Sequence, residues 1–501
     1  MFRRIQKARA RILTVSPLAR RRSAQPATPG HVVNDVHSQL NRTRVRSIAR
    51  PRSTEALQAI IKRARACGRA ISVAGGMHAM GGQQFGTETL LLDMKRMNRV
   101  LWLDTERRLV EVEAGIQWPE LIHHLIEAQR DKPTQLGIRQ KQTGADRLSV
   151  GGALAANIHG RGLTFKPIID DVESFVIVDA SGEAHRCSRV ENAELFRLAV
   201  GGYGLFGIIA RVTLRLAPRR KLERVVRLTN LRGLMTAFEE RIADGFLYGD
   251  FQFMTDPDSD GFLREGIFSC YRPAADDAPV AATHKELSEN DWRELLYLAH
   301  TDRRRAFEAY SSHYLATDGQ LYWSDTHQLS VYLDDYHREL DERLGGAACG
   351  SEMITEVYVP RGQLSAFMEA TRADFILNRA ELIYGTIRLI EKDEESFMAW
   401  ARERYSCVVF NLHVAHTAAG IEKARDDFRR LIDRAIEFGG SYYLTYHRWA
   451  TRRQALSCYP QFPEFLRLKR KYDRAEIFQS DWYRHYKAMF DELMLCVSPE
   501  V

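Results

Sequence analysis

Three stretches of glycine and other small residues constrain this chain more than any other feature. The first is Ala74-Gly75-Gly76-Met77-His78-Ala79-Met80-Gly81-Gly82, directly after the apolar segment Ile71-Ser72-Val73. The second runs from Thr143-Gly144 through Ser149-Val150-Gly151-Gly152-Ala153-Leu154-Ala155-Ala156-Asn157-Ile158-His159-Gly160. The third is Val200-Gly201-Gly202-Tyr203-Gly204-Leu205-Phe206-Gly207-Ile208-Ile209. Glycine permits positive φ and close backbone approach, so successive N–H groups in such loops can form a nest for an anion. A tight structural turn explains any one of them equally well. The first loop is neither the GxGxxG dinucleotide fingerprint nor a Walker loop. Three such loops within residues 45–218 are harder to explain as turns alone, and one phosphate-bearing ligand threaded through them is the economical account.

The pattern around the loops predicts an α+β unit. A helix is expected over 55–67, N-capped near Ser53 and Thr54 and ended by Gly68. Short strands are expected at 71–73, 90–92 and 109–112, and a helix over 118–128. A hairpin follows, with strands 172–178 and 184–188 around Ala180-Ser181-Gly182, and then a strand over 206–216 ended by Pro218. Residues 219–430 hold fewer glycines and more charge. They contain a helical block over 290–310 and strands at 354–359 and 408–414, and are expected to form a second α+β domain. The last seventy residues, 431–501, are aromatic and basic and read as a cap segment returning to the first unit.

Composition excludes several classes. No window approaches the roughly 18 apolar residues of a spanning helix. The seven cysteines are scattered with no CxxC pair, against a disulfide framework or a structural cysteine–zinc site and in favour of a reducing, cytoplasmic setting. The net charge of +7 suggests nucleic acid until it is located. Eight basic residues precede the first acidic one, Asp35, so residues 35–501 carry a net charge of −1 and a nucleic-acid-binding domain is not expected. Residues 1–34 read as a basic disordered arm whose contact with a membrane is at most peripheral; a cleaved organelle-targeting peptide has the same composition.

The order AGGMHAMGG, SVGGALAANIHG, VGGYGLFGIIARVTLRLAP resembles the FAD-binding domain of the vanillyl-alcohol oxidase superfamily, the PCMH-type fold. The stretch GGSYYLTYHRWATRRQALSCYPQFPEFLRLKRKYDRAEIFQSDWYR resembles the cap-domain end of the same superfamily, nearest its decaprenylphosphoryl-ribose oxidase and sugar-lactone or alditol oxidase branches. The resemblance implies an α+β fold with a two-subdomain PCMH-type FAD-binding domain over 35–218 and an α+β substrate or cap domain over 219–430. It implies FAD as cofactor, held by Gly75, Gly76, Met77, His78, Ala79, Gly144, Ser149, Val150, Gly151, Gly152, Asn157, His159, Ile209 and Tyr443. His78 stands where relatives carry a histidine bonded to the flavin. Ala79 stands where the family often has serine, so covalent and non-covalent attachment both stay open. Ala145 replaces the cysteine of bicovalent relatives.

Catalytic candidates come from the cap strands. Alternation along Tyr442–Arg448 would put Tyr446 and Arg448 on one face and His447 on the other. Tyr446 occupies a position where some relatives have a catalytic lysine. Arg388, Asn411, His413, Glu356 and His159 complete the set. Together these imply an FAD-dependent oxidoreductase, an oxidase or dehydrogenase that oxidises the CH–OH carbon of a sugar, polyol or glycan-lipid by hydride transfer, with oxygen or another electron acceptor. Reduction of a carbon–carbon double bond and a catalytically inactive binding protein of the same fold are the alternatives.

Overall fold

The computed structural model describes residues 30–281, 284–331, 333, 335–346 and 348–495. Most of the basic arm therefore lies outside the described residues. Three sheets organise the chain. A small parallel sheet has the order Ser47–Ala49, Leu90–Asp93, Ile71–Ala74. An antiparallel sheet of five strands follows, in the order Ala184–Ser188, Val172–Val178, Ile208–Arg215, Leu109–Glu113, Val100–Asp104. The third, with eight strands, is antiparallel throughout, and its centre is Tyr248–Phe253, Leu382–Ile390, Tyr405–Ala415 and Gly350–Pro360.

Local signals set where the helices start. Ser53 caps the helix Thr54–Ala66, its side chain accepting from the Ala56 amide. Trp118–Ala128 starts with a capping box from Gln117 and Glu120 and buries Trp118, Leu121, Ile122 and Leu125 on one face. Each such side chain contributes about 1.5–3 kcal/mol on burial. The second glycine stretch, expected as loop, contains a two-turn helix, Val150–Ala156. The Ser149 hydroxyl accepts from the Gly152 amide to start it, and Asn157 in the left-handed region (φ 49°) ends it. The block expected over 290–310 is two helices, Glu289–Thr301 and Arg303–Ala316, because Asp302 breaks the chain direction and caps the second. Pro218 does not end the run of strands: Ala217–Pro218 pairs with Leu136–Gly137, and Lys221–Asn230 follows.

One apolar core runs through the molecule, from Val110 and Val212 past Phe251 and Tyr358 to Trp482 and Phe490. The last segment packs on the parallel sheet. Ile71 donates to the Ile477 carbonyl at 2.6 Å and accepts from the Gln479 amide at 2.8 Å, while Asp481 accepts from the amide and hydroxyl of Thr87. A buried Lys469–Asp473 pair fixes the turn, since Asp473 also accepts from the amides of Ile477 and Phe478. Among the described residues no helix is long and apolar enough to cross a membrane.

Candidate functional site

The three small-residue stretches meet at one cavity of about 910 Å³. Their contacts leave no room for side chains. A Cβ on Gly75 would fall 1.9 Å from the Ser149 hydroxyl, so the first loop lies directly on the start of the second. The third loop hangs on the second: Gly201 donates to the Leu154 carbonyl at 3.0 Å and Tyr203 to the Ala155 carbonyl at 3.0 Å. Gly204 holds φ +72° against Val73, on the strand that enters the first loop. Gly151 donates to the Ala114 carbonyl at 2.7 Å and ties the second loop to the antiparallel sheet. Buried Lys141 donates to the carbonyls of Gln142 and Gln328 and so holds the chain just ahead of Gly144.

This end of the cavity is polar through its backbone and small through its side chains. Gly75, Gly76, Met77, His78, Ala79, Gly144, Ser149, Gly151, Gly152 and Ile209 all line it. None of the lining residues from the three loops is acidic; the lining carboxylates, Asp250 and Glu286, belong to the later part of the chain. A narrow, acid-free groove of glycine backbone fits a dinucleotide diphosphate. His78 is buried with its Nδ1 2.8 Å from Nε2 of His37. Burial, with His37 beside it, pushes the His78 imidazole down to about 3, and burial pushes His37 down to about 4, so both rings are neutral at pH 7.

A family model described as an FAD binding domain matches residues 45–188, which include the first two loops. Residues 45–188 form an FAD-binding domain of the PCMH type. Its cofactor is FAD. Among curated proteins it is similar to L-gulonolactone oxidase of Bos taurus, 31% identical over 174 residues, 34% of this chain and 38% of that protein. It is 30% identical over 164 residues to decaprenylphosphoryl-beta-D-ribose oxidase of Mycolicibacterium smegmatis, 32% of this chain and 34% of that protein. It is 25% identical over 442 residues to L-gulono-1,4-lactone dehydrogenase of Mycobacterium tuberculosis, 87% of this chain and 95% of that protein. The chain spans less than half the length of the first curated relatives it matches.

The other end of the FAD cavity is lined by side chains of the large sheet and its helices. Arg388, Asn411 and Tyr446 reach it, as do Asp250, Gln252, Arg161 and Arg224. Tyr310, Tyr314 and Tyr384 form an aromatic wall, with Tyr310 and Tyr314 centroids 4.6 Å apart. Several of these groups carry buried polar atoms with no hydrogen-bond partner among the described residues: Asp250 Oδ1, Gln252 Oε1, Asn411 Oδ1, and the Nε atoms of Arg388 and Arg161. Such atoms are costly in an empty protein interior.

Glu356 sits directly behind this end. Its carboxylate accepts from Tyr446 Oη at 3.2 Å and lies 2.6 Å from His159 Nε2, whose Nδ1 is 3.0 Å from the Gly160 carbonyl. Both nitrogens of His159 thus face oxygen acceptors. Burial alone would raise the Glu356 carboxyl, but His159 and Arg388 hold it below the usual carboxylate range. Burial, and next the Glu356 charge, raise the Tyr446 phenol well above its ordinary value, so it is protonated at pH 7. The arrangement is a hydroxyl facing the cavity, backed by an ionised carboxylate and an imidazole.

Other expected residues stand elsewhere. Val150 is fully buried in the core. Asn157 faces away from the cavity, its amide donating to Asp393 at 2.9 Å and Ser396 at 3.2 Å while its carbonyl accepts from Trp400. Tyr443 packs on Trp400 and donates to the Ala156 carbonyl. His413 faces Glu352, two register pairs from Asn411. The alternation expected over Tyr442–Arg448 fails, because the strand is only Ser441–Tyr442 and the chain turns at once. Tyr446 and Arg448 therefore part company: Arg448 donates to the Gly81 carbonyl at 3.0 Å, closing the first loop. His447 stacks on Trp449 with centroids 4.3 Å apart.

Sequence reasoning missed Asp250 and Gln252, although Tyr248–Phe253 shows two polar residues at alternate positions in a wholly buried strand. It also missed the face Phe307, Tyr310 and Tyr314, at helical spacing within Arg303–Ala316.

Proposed function

We propose that this flavoprotein is an oxidoreductase that oxidises a CH–OH carbon of a polyhydroxylated, sugar-like substrate. FAD held by the three loops supplies the hydride acceptor. Tyr446 takes up the substrate hydroxyl proton as its own proton passes to Glu356, and His159 fixes the position of that carboxylate. Arg388 and Asn411 orient the substrate against the cavity floor, and Asp250 and Gln252 accept or donate to its further hydroxyls. The tyrosine wall offers apolar faces to the sugar ring and excludes water.

One observation carries this reading: the unpartnered buried polar atoms of Asp250, Gln252, Arg388 and Asn411 around one cavity. A polyol satisfies many separate donors and acceptors at once, whereas a flat apolar substrate leaves them unpaired. The names of the relatives, two acting on a sugar lactone and one on a lipid-linked ribose, support the same class. The test is anaerobic mixing of the purified holoprotein with sugar-1,4-lactones, polyols and NADPH, following visible flavin absorbance. Bleaching by a lactone or polyol is expected; bleaching by NADPH alone would sink the proposal in favour of double-bond reduction. We also propose a covalent tie through His78, whose neutral ring lines the cavity. Acid precipitation should leave the yellow colour in the pellet, and colour in the supernatant removes that part of the proposal.

A further inference from the structure

A second cluster of ligand-type side chains lies at the end of the large sheet, apart from the cavity and unused by the proposed reaction. Glu352 and His413 face each other as register partners on the strands Gly350–Pro360 and Tyr405–Ala415. His300, from the last turn of Glu289–Thr301, closes over them, with its ring 4.8 Å from that of His413. His300 Nε2 is 3.2 Å and His413 Nδ1 3.6 Å from Glu352 Oε1. One ligand atom from each of His300, Glu352 and His413 lies within 4.8 Å of the others. His337, at the start of the helix Tyr336–Leu344, comes from the other side, its Nδ1 3.1 Å from Glu352 Oε2.

Hydrogen bonding alone does not account for this arrangement. His337 is 5% exposed, yet neither ring nitrogen has a hydrogen-bond partner among the described residues. Its Nδ1 is close to the carboxylate but not aligned with it as a donor. His413 Nδ1 is likewise without a partner, and its 3.6 Å separation is long for a hydrogen bond. Nitrogen and oxygen ligands of a tetrahedral zinc ion, each about 2.0–2.1 Å from the metal, sit roughly 3.3 Å from one another. The separations of His300 and His413 from Glu352 Oε1, 3.2 and 3.6 Å, bracket that value. Tyr336 Oη donates to Glu352 Oε2 at 2.5 Å, the outer hydrogen bond that orients a ligating carboxylate.

We propose that His300, Glu352 and His413 bind one divalent transition-metal ion of the zinc class. Two imidazoles and a carboxylate suit such an ion, and water completes a tetrahedral set. It would pin the helix Glu289–Thr301 to the sheet. That helix supplies Trp292, Leu295 and Ala299 to the cavity wall, so the metal would also hold that wall in place.

The test uses the FAD-loaded protein, stripped by chelator and dialysed against Zn²⁺ or Co²⁺. The expected result is about one metal per chain, with an intense visible Co²⁺ spectrum of a tetrahedral site. Glu352→Gln and the pair His300→Gln/His413→Gln should abolish it, and Tyr336→Phe should weaken binding by roughly 10–100-fold. Retained flavin absorbance reports that each variant is folded; should a variant not fold, the Co²⁺ spectrum of the unmodified protein decides. Wild-type protein that takes up no stoichiometric metal, or whose Co²⁺ spectrum is the weak octahedral one, overturns the proposal, as does metal uptake unchanged by the double substitution.

Discussion

The two ends of the cavity are built on opposite terms. At the loop end, glycines of one segment lie directly against the backbone or short side chains of the next. At the sheet end, long polar side chains converge and leave buried atoms unpaired. The first arrangement is intolerant of volume. The second tolerates changes of volume but turns on single polar atoms. A dinucleotide presents the same backbone-readable diphosphate whatever the reaction, whereas a substrate must be told apart hydroxyl by hydroxyl.

This contrast can be broken by substitutions at either end. The largest effect is expected from Gly75→Val, whose Cβ would enter the Ser149 hydroxyl. The purified protein should be almost colourless, and full flavin content in this variant would refute the close contact between the loops. Glu356→Gln should do the reverse, keeping the flavin but slowing its reduction by substrate about 10²–10⁴-fold in stopped flow. Loss of colour on that substitution would mean that Glu356 serves the cofactor end instead.

Smaller changes sharpen the comparison. Asp250→Asn and Asn411→Ala should each lower kcat/KM about tenfold, or roughly 1.4 kcal/mol, through KM rather than flavin content. In pH profiles, the reacting carboxylate must be ionised. Because Glu356 is held below its ordinary value, kcat/KM should be level above pH 4.5 and fall only below it. The smallest effect concerns stability. His37 and His447 are lowered from 6.5 to about 4 by burial, so the unfolded chain binds more protons than the folded one between those values. Their contribution is complete above pH 6.5 and is lost as the pH falls towards 4. Melting temperature should decline across that window, and less steeply in His447→Gln.

Much of the loop end was legible because its requirements are local. A glycine that must lie against a neighbouring loop is visible at its own position, and Ser149 announces the helix it caps. Asn157 and Val150 sat in the right motif but face the core, since a helix of two turns sends its residues to different sides. The sheet end was legible only in part. Arg388, Asn411 and Tyr446 were expected, but Asp250, Gln252 and the tyrosine face of Arg303–Ala316 were not, because their local spacing shows a shared face and not which cavity that face meets. The Tyr442–Arg448 alternation failed because a strand persists only where a partner supplies hydrogen bonds, and here the partner strand pairs with Ser441 and Tyr442 alone.

What the order of residues determined by itself was a set of short-range facts: where backbone must approach backbone and where helices start. What the tertiary structure alone decided was which distant side chains share a space. His159 and Glu356 lie 197 positions apart in the chain and 2.6 Å apart in the fold. No local preference encodes that proximity, because it follows from the register of long antiparallel strands and from the apolar core that fixes how the sheet meets the loops.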